Sequence, residues 1–272
     1  MSWISLRITP GSNRDGVIAA LFESGSQGVQ EDGVAVVTHF PAGARINEIR
    51  SAVMRADPRA DIAIADSPDT DYSQWRASVS AHQVGGLVIA PPWLASGLDP
   101  ETTVIVDPVM AFGTGEHPST RGAMRLMQGV VRRGDFVADL GAGSAVLSIA
   151  AVKLGAARVA AIEIEHDSIG NAEENVLANS VGERVEVIEG DAITLLPLLA
   201  PVRVVIANII SSVLVAMLPM IKSSLASGGQ AILAGILSEE RAAMVSELDA
   251  GGWVIEREDT EDAWWSVQIA PR

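Results

Sequence analysis

Apolar residues recur along most of this chain at strand and helix spacings, and their order predicts an alternating α/β protein. Strand-length apolar runs lie at 137–140, 159–164, 185–189, 202–206, 231–236 and 264–269. Segments with helical spacing separate most of them, at 144–154, 167–179, 213–225 and 238–250. Strands that alternate with helices in this way favour an open α/β sheet, which binds ligands at the carboxyl ends of its strands.

The N-terminal segment carries a smaller pattern of its own. Its predicted elements are strand 3–8, helix 13–24, strand 28–31, strand 34–40, helix 46–54 and strand 60–65. Asn13 is placed to cap the first helix, and Asp32-Gly33 is a hairpin turn signal. The order β-α-β-β-α-β is that of a ferredoxin-like domain. No catalytic constellation falls within it, so recognition and a purely structural role both stay open.

Proline and glycine set the predicted domain boundaries. Residues 67–100 contain Pro68, Gly85-Gly86, Pro91-Pro92 and Pro100, which break regular structure. We therefore predict a recognition domain at 1–66, a connector at 67–100 and the main domain at 101–272. Within the connector, 87–90 is a candidate strand, and Trp75 and Trp93 are expected to pack against a domain.

The composition narrows the functional classes. The chain of 272 residues has 19 basic and 34 acidic residues, and its net charge of −15 argues against direct binding of nucleic acid. The charge suits a basic protein partner, although general solubility explains it as well. There is no cysteine, and the four histidines lack metal-ligand spacing, so no metal site is expected.

Two further features bear on location. The N-terminus has no apolar core of signal-peptide length, which together with the absence of cysteine indicates a cytoplasmic protein. The apolar stretch 204–221 is interrupted by Asn208, Ser211, Ser212 and Pro219. It therefore predicts a buried strand followed by a helix, and no membrane span.

A glycine loop stands between the first predicted strand and helix of the main domain. It reads D-L-G-A-G-S-A over 139–145, and glycine at 141 and 143 lets the backbone approach a ligand closely. Val146 occupies the place of the third glycine in the dinucleotide fingerprint, so the loop is closer to that of S-adenosylmethionine enzymes. Glu163 ends the next strand, where a ribose diol would be held. A purely structural turn is the alternative interpretation.

Polar residues follow two later strands at the same predicted sheet edge. Asp191 comes just after the third strand, where it either accepts from the exocyclic amine of a base or is a solvated turn residue. Asn208 ends the fourth strand inside an apolar run, and a buried polar side chain is costly unless hydrogen-bonded. A functional role is therefore favoured for Asn208.

A long turn-rich segment, DPVMAFGTGEHPSTR at 107–121, precedes the first helix of the main domain. It resembles the D-P-G-x-A-F-G-T-G-x-H-P-T-T signature of the PrmA family, the bacterial methyltransferases of large-subunit ribosomal protein eleven. The glycine loop, Ala207-Asn208-Ile209 and GGQAILAGIL at 228–237 follow in that family's order. The resemblance covers residue 71 to the C-terminus, and the first 66 residues agree in architecture more than in sequence.

The resemblance implies a Rossmann-like S-adenosylmethionine-dependent methyltransferase core with a small N-terminal α+β, ferredoxin-like domain. The implied activity is N-methylation of lysine side chains and the N-terminal amine of that ribosomal protein. Matching positions imply that the cofactor contacts Thr120, Gly141, Glu163 and Asn208. The further candidates are Phe112, His117, Gly143 and Asp191. Asn208 is also the implied catalytic residue, which would hold the amine by accepting its hydrogens.

The chain departs from the family pattern in several places. Ala145 stands where glycine is usual, and Glu163 replaces aspartate while keeping a diol acceptor. Val109 and Glu116 change the signature segment itself and put the target in question. Three alternatives therefore stay open: a small-molecule methyltransferase, a nicotinamide oxidoreductase, which Val146 disfavours, and a cofactor-binding protein without turnover.

Overall fold

The structure is a computed structural model that describes residues 3–26, 29–41, 43–66, 79–107, 115 and 117–272. Phe112, Val109, Glu116 and Trp75 lie outside these ranges. The chain divides into two units, Met1–Val79 and Ser80–Arg272.

The first unit is an antiparallel sheet with two helices. Its elements are β1 (Trp3–Thr9), α1 (Arg14–Glu23), β2 (Gln30–Asp32), β3 (Ala35–Pro41), α2 (Ile46–Ala56) and β4 (Asp61–Asp66). The strands lie in the order β2-β3-β1-β4, and each neighbouring pair is antiparallel. The predicted order of elements is therefore observed. The assignment of this unit as a ferredoxin-like recognition domain stays a prediction.

Polar contacts at the start of α1 agree with the sequence pattern. The Asn13 side chain accepts from the amide of Gly16, as a helix cap does. The buried carboxylate of Asp57 accepts from the amides of Ser12 at 2.7 Å and Asn13 at 2.9 Å. These bonds hold the pKa of Asp57 well below its usual range, because they favour the charged form.

The second unit begins with a small three-stranded sheet and continues with a large one. Its elements are β5 (His82–Val84), β6 (Leu87–Ala90), β7 (Thr103–Ile105), α3 (Pro118–Met127), β8 (Phe136–Leu140), α4 (Val146–Lys153), β9 (Arg158–Glu163), α5 (His166–Ala178), β10 (Val185–Glu189), α6 (Ala192–Leu199), β11 (Val202–Asn208), α7 (Ser211–Ser224), β12 (Leu225–Leu237), α8 (Arg241–Ala250), β13 (Trp253–Glu261) and β14 (Trp264–Pro271). The small sheet has the order β5-β6-β7, so the strand predicted at 87–90 is confirmed.

The large sheet has seven strands in the order β10-β9-β8-β11-β12-β14-β13. The five strands from β10 to β12 run parallel, whereas β14 and β13 pair antiparallel at one edge. Successive residues of β11 belong to two separate apolar cores, because side chains alternate between the faces of a strand. Val204 and Ile206 pack with α3, α4 and α5, and Val205 and Ala207 pack with α6, α7 and α8.

The structure corrects the predicted elements near the C-terminus. Gly228 and Gly229 were expected to form a turn before the fifth strand, yet they lie inside β12. The pairing of β11 with β12 is irregular there, and Gly228 has φ +68°. Strand β13 and helix α6 are additional to the predicted elements. Among the helices that the structure describes, none is long and apolar enough to cross a membrane.

Candidate active site

The site lies where the large sheet changes direction. From β8 the chain adds β9 and β10 on one side, and it then returns to add β11 and β12 on the other. Open α/β sheets bind ligands at such a switch point, outside the carboxyl ends of the strands. A cavity of about 630 Å³ opens there. Its walls include His117, Ser119, Gly141, Ile164, Glu165, Asp191, Ile193, Asn208, Ile210, Val213 and Trp264.

The glycine loop forms the floor of this cavity at the end of β8. Gly141 has φ +70°, and a Cβ atom there would lie only 2.6 Å from Cγ2 of Ile209. Gly143 also has positive φ, at +52°. Glycine is therefore required at 141 both for its backbone conformation and for the close approach. Ala145, which replaces the usual glycine, itself has φ +62° and ends the loop as the N-cap of α4.

Two buried carboxylates lie under this loop. Glu163 accepts from the amide of Gly143 at 2.7 Å and from the amide of Glu165 at 2.9 Å. Asp139 is 1% exposed and accepts from the Ser148 hydroxyl at 2.6 Å. Burial raises the pKa of Asp139 to about 6, and the Glu163 carboxylate adds to the shift. The two carboxylates thus hold the glycine loop from below, and neither of them lines the cavity.

Asn208 is an unusual residue of the site, because half of its amide has no partner. Its Nδ2 donates to Oγ1 of the buried Thr120 at 3.2 Å. Its Oδ1 is buried and has no hydrogen-bond partner. A buried acceptor without a donor costs about 1–3 kcal/mol. The residue therefore offers a fixed acceptor, oriented by Thr120, to a ligand that brings an N–H or O–H group.

Histidine is often a general base, but the surroundings of His117 do not favour that role. Its Nδ1 accepts from the amide of Ser119 at 3.3 Å, and its ring packs edge-on against Trp264 with the centroids 4.5 Å apart. Burial lowers its pKa, and the charge of Arg121 lowers it further, so the neutral ring is favoured. Because Nδ1 is an acceptor, we assign the proton to Nε2. His117 is therefore not placed to act as a general base.

Asp191 caps a helix at the edge of the cavity. It is the N-cap of α6, where its Oδ1 accepts from the amide of Ile193 at 2.9 Å. It is also exposed and lines the cavity. Its contact with the cofactor stays a prediction.

The structure gathers only some of the predicted residues at the cavity wall. Gly141, Asp191, Asn208 and His117 line it. The other described candidates, Thr120, Gly143 and Glu163, are not part of the wall. Thr120 hydrogen-bonds to Asn208, and the buried Glu163 accepts from the amide of Gly143. The contacts of these residues with the cofactor stay predictions.

Sequence reasoning missed several wall residues. Glu165 and Trp264 line the cavity, as do four large apolar residues that are at least partly exposed: Ile164, Ile193, Ile210 and Val213. Ile164 and Ile210 lie just beyond the ends of β9 and β11, whereas Ile193 and Val213 lie in the first turns of α6 and α7. Position beyond a strand end was therefore an available signal for Ile164 and Ile210, since parallel strands present such residues at one edge.

A doubly wound sheet with a glycine loop after β8 and an acid at the end of β9 defines a Rossmann-like methyltransferase. A crystal structure of ribosomal protein L11 methylase from Lactobacillus delbrueckii subsp. bulgaricus is similar to this chain, with a TM-score of 0.64 and 27% identity. The match covers 71% of this chain and 100% of that one.

Sequence comparisons identify the family. A family model described as ribosomal protein L11 methyltransferase (PrmA) matches residues 11–271, which extends the resemblance into the first unit. A ribosomal protein L11 methyltransferase of an Exiguobacterium species is 34% identical over 247 residues, covering 86% of this chain and 78% of the relative. One from Pelotomaculum thermopropionicum is 34% identical over 241 residues, covering 84% and 74%. The chain belongs to the PrmA family.

Proposed function

We propose that this protein transfers methyl groups from S-adenosylmethionine to amines of ribosomal protein L11, on lysine side chains and at the N-terminus. The observation that carries the proposal is the buried, unpartnered Oδ1 of Asn208 in the cavity wall. A neutral amine brings N–H donors that this oxygen can accept. When Oδ1 accepts hydrogen bonds from the amine, the nitrogen lone pair points in a defined direction. Such alignment supplies a large part of the rate acceleration of a displacement reaction.

The residues present fit the proposed cofactor. The cavity volume of about 630 Å³ lies within the range of small-molecule sites, and the floor at Gly141 has no room for a side chain. Glu163 accepts from the amide of Gly143 and so holds the glycine loop in place beside the cavity. When bound, S-adenosylmethionine supplies an activated methyl group.

The remaining chemical task is loss of a proton from the amine. His117 has its Nδ1 engaged by Ser119, and Asn208 cannot take up a proton at neutral pH. We propose that water removes the proton before transfer, and that Asn208 then orients the neutral amine. Thr120 keeps the Asn208 amide in the orientation that presents Oδ1.

The partner proposal follows from charge and family. A net charge of −15 suits a basic protein and opposes direct contact with nucleic acid. The relatives from Exiguobacterium and Pelotomaculum are methyltransferases of ribosomal protein L11. We further propose that residues 1–66 recognise this substrate, that 67–100 connect them to the transferase unit at 101–272, and that the protein acts in the cytoplasm.

The test is transfer to the purified substrate. The protein is incubated with ribosomal protein L11 and S-adenosylmethionine, and peptide mass spectrometry locates any added methyl groups. We expect them on lysine side chains and the N-terminal amine. Binding of S-adenosylhomocysteine without any transfer to L11 would instead indicate another substrate, or a cofactor-binding protein without turnover.

A further inference from the structure

Helix α5 and its C-cap residue carry three asparagines on their buried side. Asn171, Asn175 and Asn179 are spaced by four residues and are 9%, 2% and 6% exposed. Residues four apart lie on the same side of a helix, so these amides form one polar stripe in an apolar interior. Buried amides need hydrogen-bond partners, and the identity of those partners indicates what the stripe holds.

Two of the asparagines bind the backbone just after β7. Asn179 accepts from the amide of Ile105 at 2.8 Å and donates to its carbonyl at 2.6 Å. Asn175 accepts from the amide of Asp107 at 2.9 Å. The spacings match, because four helical residues rise about 6 Å and two extended residues span roughly 6.6 Å. The stripe therefore hydrogen-bonds to the backbone of alternate residues, Ile105 and Asp107, at the start of the 107–121 segment.

Asn175 alone also reaches the glycine loop. Its Nδ2 donates to the carbonyl of Ser144 at 3.0 Å, and Oδ1 of Asn171 accepts from the same group at 3.3 Å. Ser144 is 1% exposed and follows Gly143 directly. One side chain thus joins the glycine loop to Asp107, the first residue of the segment that leads to α3 and Thr120.

One hydrogen-bond acceptor at this junction has no donor. Oδ1 of Asp107 is buried and has no hydrogen-bond partner. Buried polar atoms in folded proteins are nearly all paired, so this oxygen marks a strained point of the junction.

We propose that Asn175 is a positioning residue that ties the glycine loop to Asp107 and so fixes the arrangement that the loop presents to the cofactor. The inference rests on the proposed use of S-adenosylmethionine in the cavity. It assigns Asn175 an effect on cofactor binding, although the side chain does not line the cavity. Asn179 provides the contrast, because it holds the same strand end without touching the glycine loop.

The chain offers a matched pair of variants. Each asparagine makes three side-chain hydrogen bonds: Asn175 to Asp107, Ser144 and Asn171, and Asn179 twice to Ile105 and once to the Asn175 carbonyl. Asn175→Ala and Asn179→Ala are therefore expected to lower the melting temperature by similar amounts. Asn175→Asp keeps the acceptor for the Asp107 amide but replaces the donor to Ser144 and Asn171 with a carboxylate oxygen, and so breaks the link to the glycine loop.

Cofactor affinity distinguishes a residue that positions the glycine loop from one that only stabilises the fold. We expect Asn175→Ala and Asn175→Asp to weaken S-adenosylhomocysteine binding and raise KM for S-adenosylmethionine about tenfold, whereas Asn179→Ala changes both by less than about twofold. Calorimetry and initial rates on full-length protein provide the readouts, at a temperature where every variant is folded. If either Asn175 variant does not fold, the other is compared with Asn179→Ala.

Equal losses of affinity in the Asn175 and Asn179 variants would overturn the proposal, as would wild-type affinity in a folded Asn175 variant. Failure of the proposed function has a different signature: the wild-type protein itself would then bind neither S-adenosylmethionine nor S-adenosylhomocysteine.

Discussion

Replacement of Asn208 by alanine tests the active-site geometry most directly. The change removes two groups with different surroundings: Nδ2, which donates to Thr120, and Oδ1, which is buried without a partner. A structural asparagine would have both groups paired. The two halves therefore make opposite contributions to stability, and their sum can be worked out before any measurement.

The stability change is expected to be small. Loss of the Nδ2 bond leaves Oγ1 of the buried Thr120 without this donor, which costs about 1–3 kcal/mol. Removal of the unpaired Oδ1 relieves a desolvation cost of about 1–3 kcal/mol. The two terms offset each other, so the free energy of unfolding of Asn208→Ala should lie within roughly 2 kcal/mol of the wild-type value.

The rate of methyl transfer, in contrast, should fall strongly. Removal of one well-placed polar group from a transfer site costs on the order of 2–4 kcal/mol of transition-state stabilisation, or roughly a hundredfold in rate. Thr120→Val leaves Asn208 in place but removes the acceptor that orients its amide. We expect a smaller loss for Thr120→Val, about tenfold, because one neutral hydrogen bond is lost.

The assay combines three measurements on one preparation: urea unfolding, S-adenosylhomocysteine affinity and single-turnover methyl transfer to ribosomal protein L11. Near-native stability with a large loss of rate supports the assignment. The reasoning is refuted if folded Asn208→Ala turns over at the wild-type rate, or if it loses several kcal/mol of stability.

Three further outcomes can be measured. Deletion of residues 1–66 should abolish methylation of the protein substrate and leave S-adenosylhomocysteine affinity nearly unchanged; normal methylation by the folded remainder would contradict the proposed recognition role. Asp139 has its pKa raised from 3.8 to about 6, so the folded state holds that proton more tightly than the unfolded state does. Its contribution to stability should therefore fall as pH rises from about 4 to 6, by on the order of 3 kcal/mol, and urea unfolding of Asp139→Asn should lack this part of the pH dependence. Glu261 accepts from Arg121 and from Arg125, and the three side chains are 17–32% exposed. Glu261→Gln should lower stability by about 1–3 kcal/mol, and less at high salt; an unchanged urea midpoint at low salt would show that this network does not stabilise the fold.

Local patterns were sufficient to predict much of the transferase unit. The strand predicted at 185–189 is observed with those bounds, and β8, β9 and β11 begin or end within two residues of their predicted limits. Strands β8, β9 and β11 are buried on both faces, so each contains a run of apolar residues of strand length. Strand β10 lies at the sheet edge and has only Val185 fully buried. The glycine loop was also predictable from local sequence, because the positive φ of Gly141 and Gly143 depends on the residue type at each position.

Elements that depend on their neighbours were not predictable in this way. Strand β13 lies at the sheet edge and is rich in exposed charge, so its sequence resembles a polar loop until β14 pairs with it. Helix α6 is apolar on most sides and contains Pro197, which leaves strand and helix equally compatible with its pattern. Gly228-Gly229 resembles a turn, yet pairing with β11 carries β12 through it.

The same division holds for the site. Asn208 was predicted from sequence, because a polar residue that ends a buried strand is visible in the pattern. Its unpartnered oxygen was not, since only the folded chain shows that Thr120, 88 residues away, satisfies one half of the amide. Asn175 is recognisable in sequence only as one of several polar residues on a helix. Its contacts with Asp107 and Ser144 join segments 68 and 31 residues distant. Residue type and spacing determine local conformation, but the pairing of buried polar atoms depends on which distant segments the fold brings within 3 Å or so of each other.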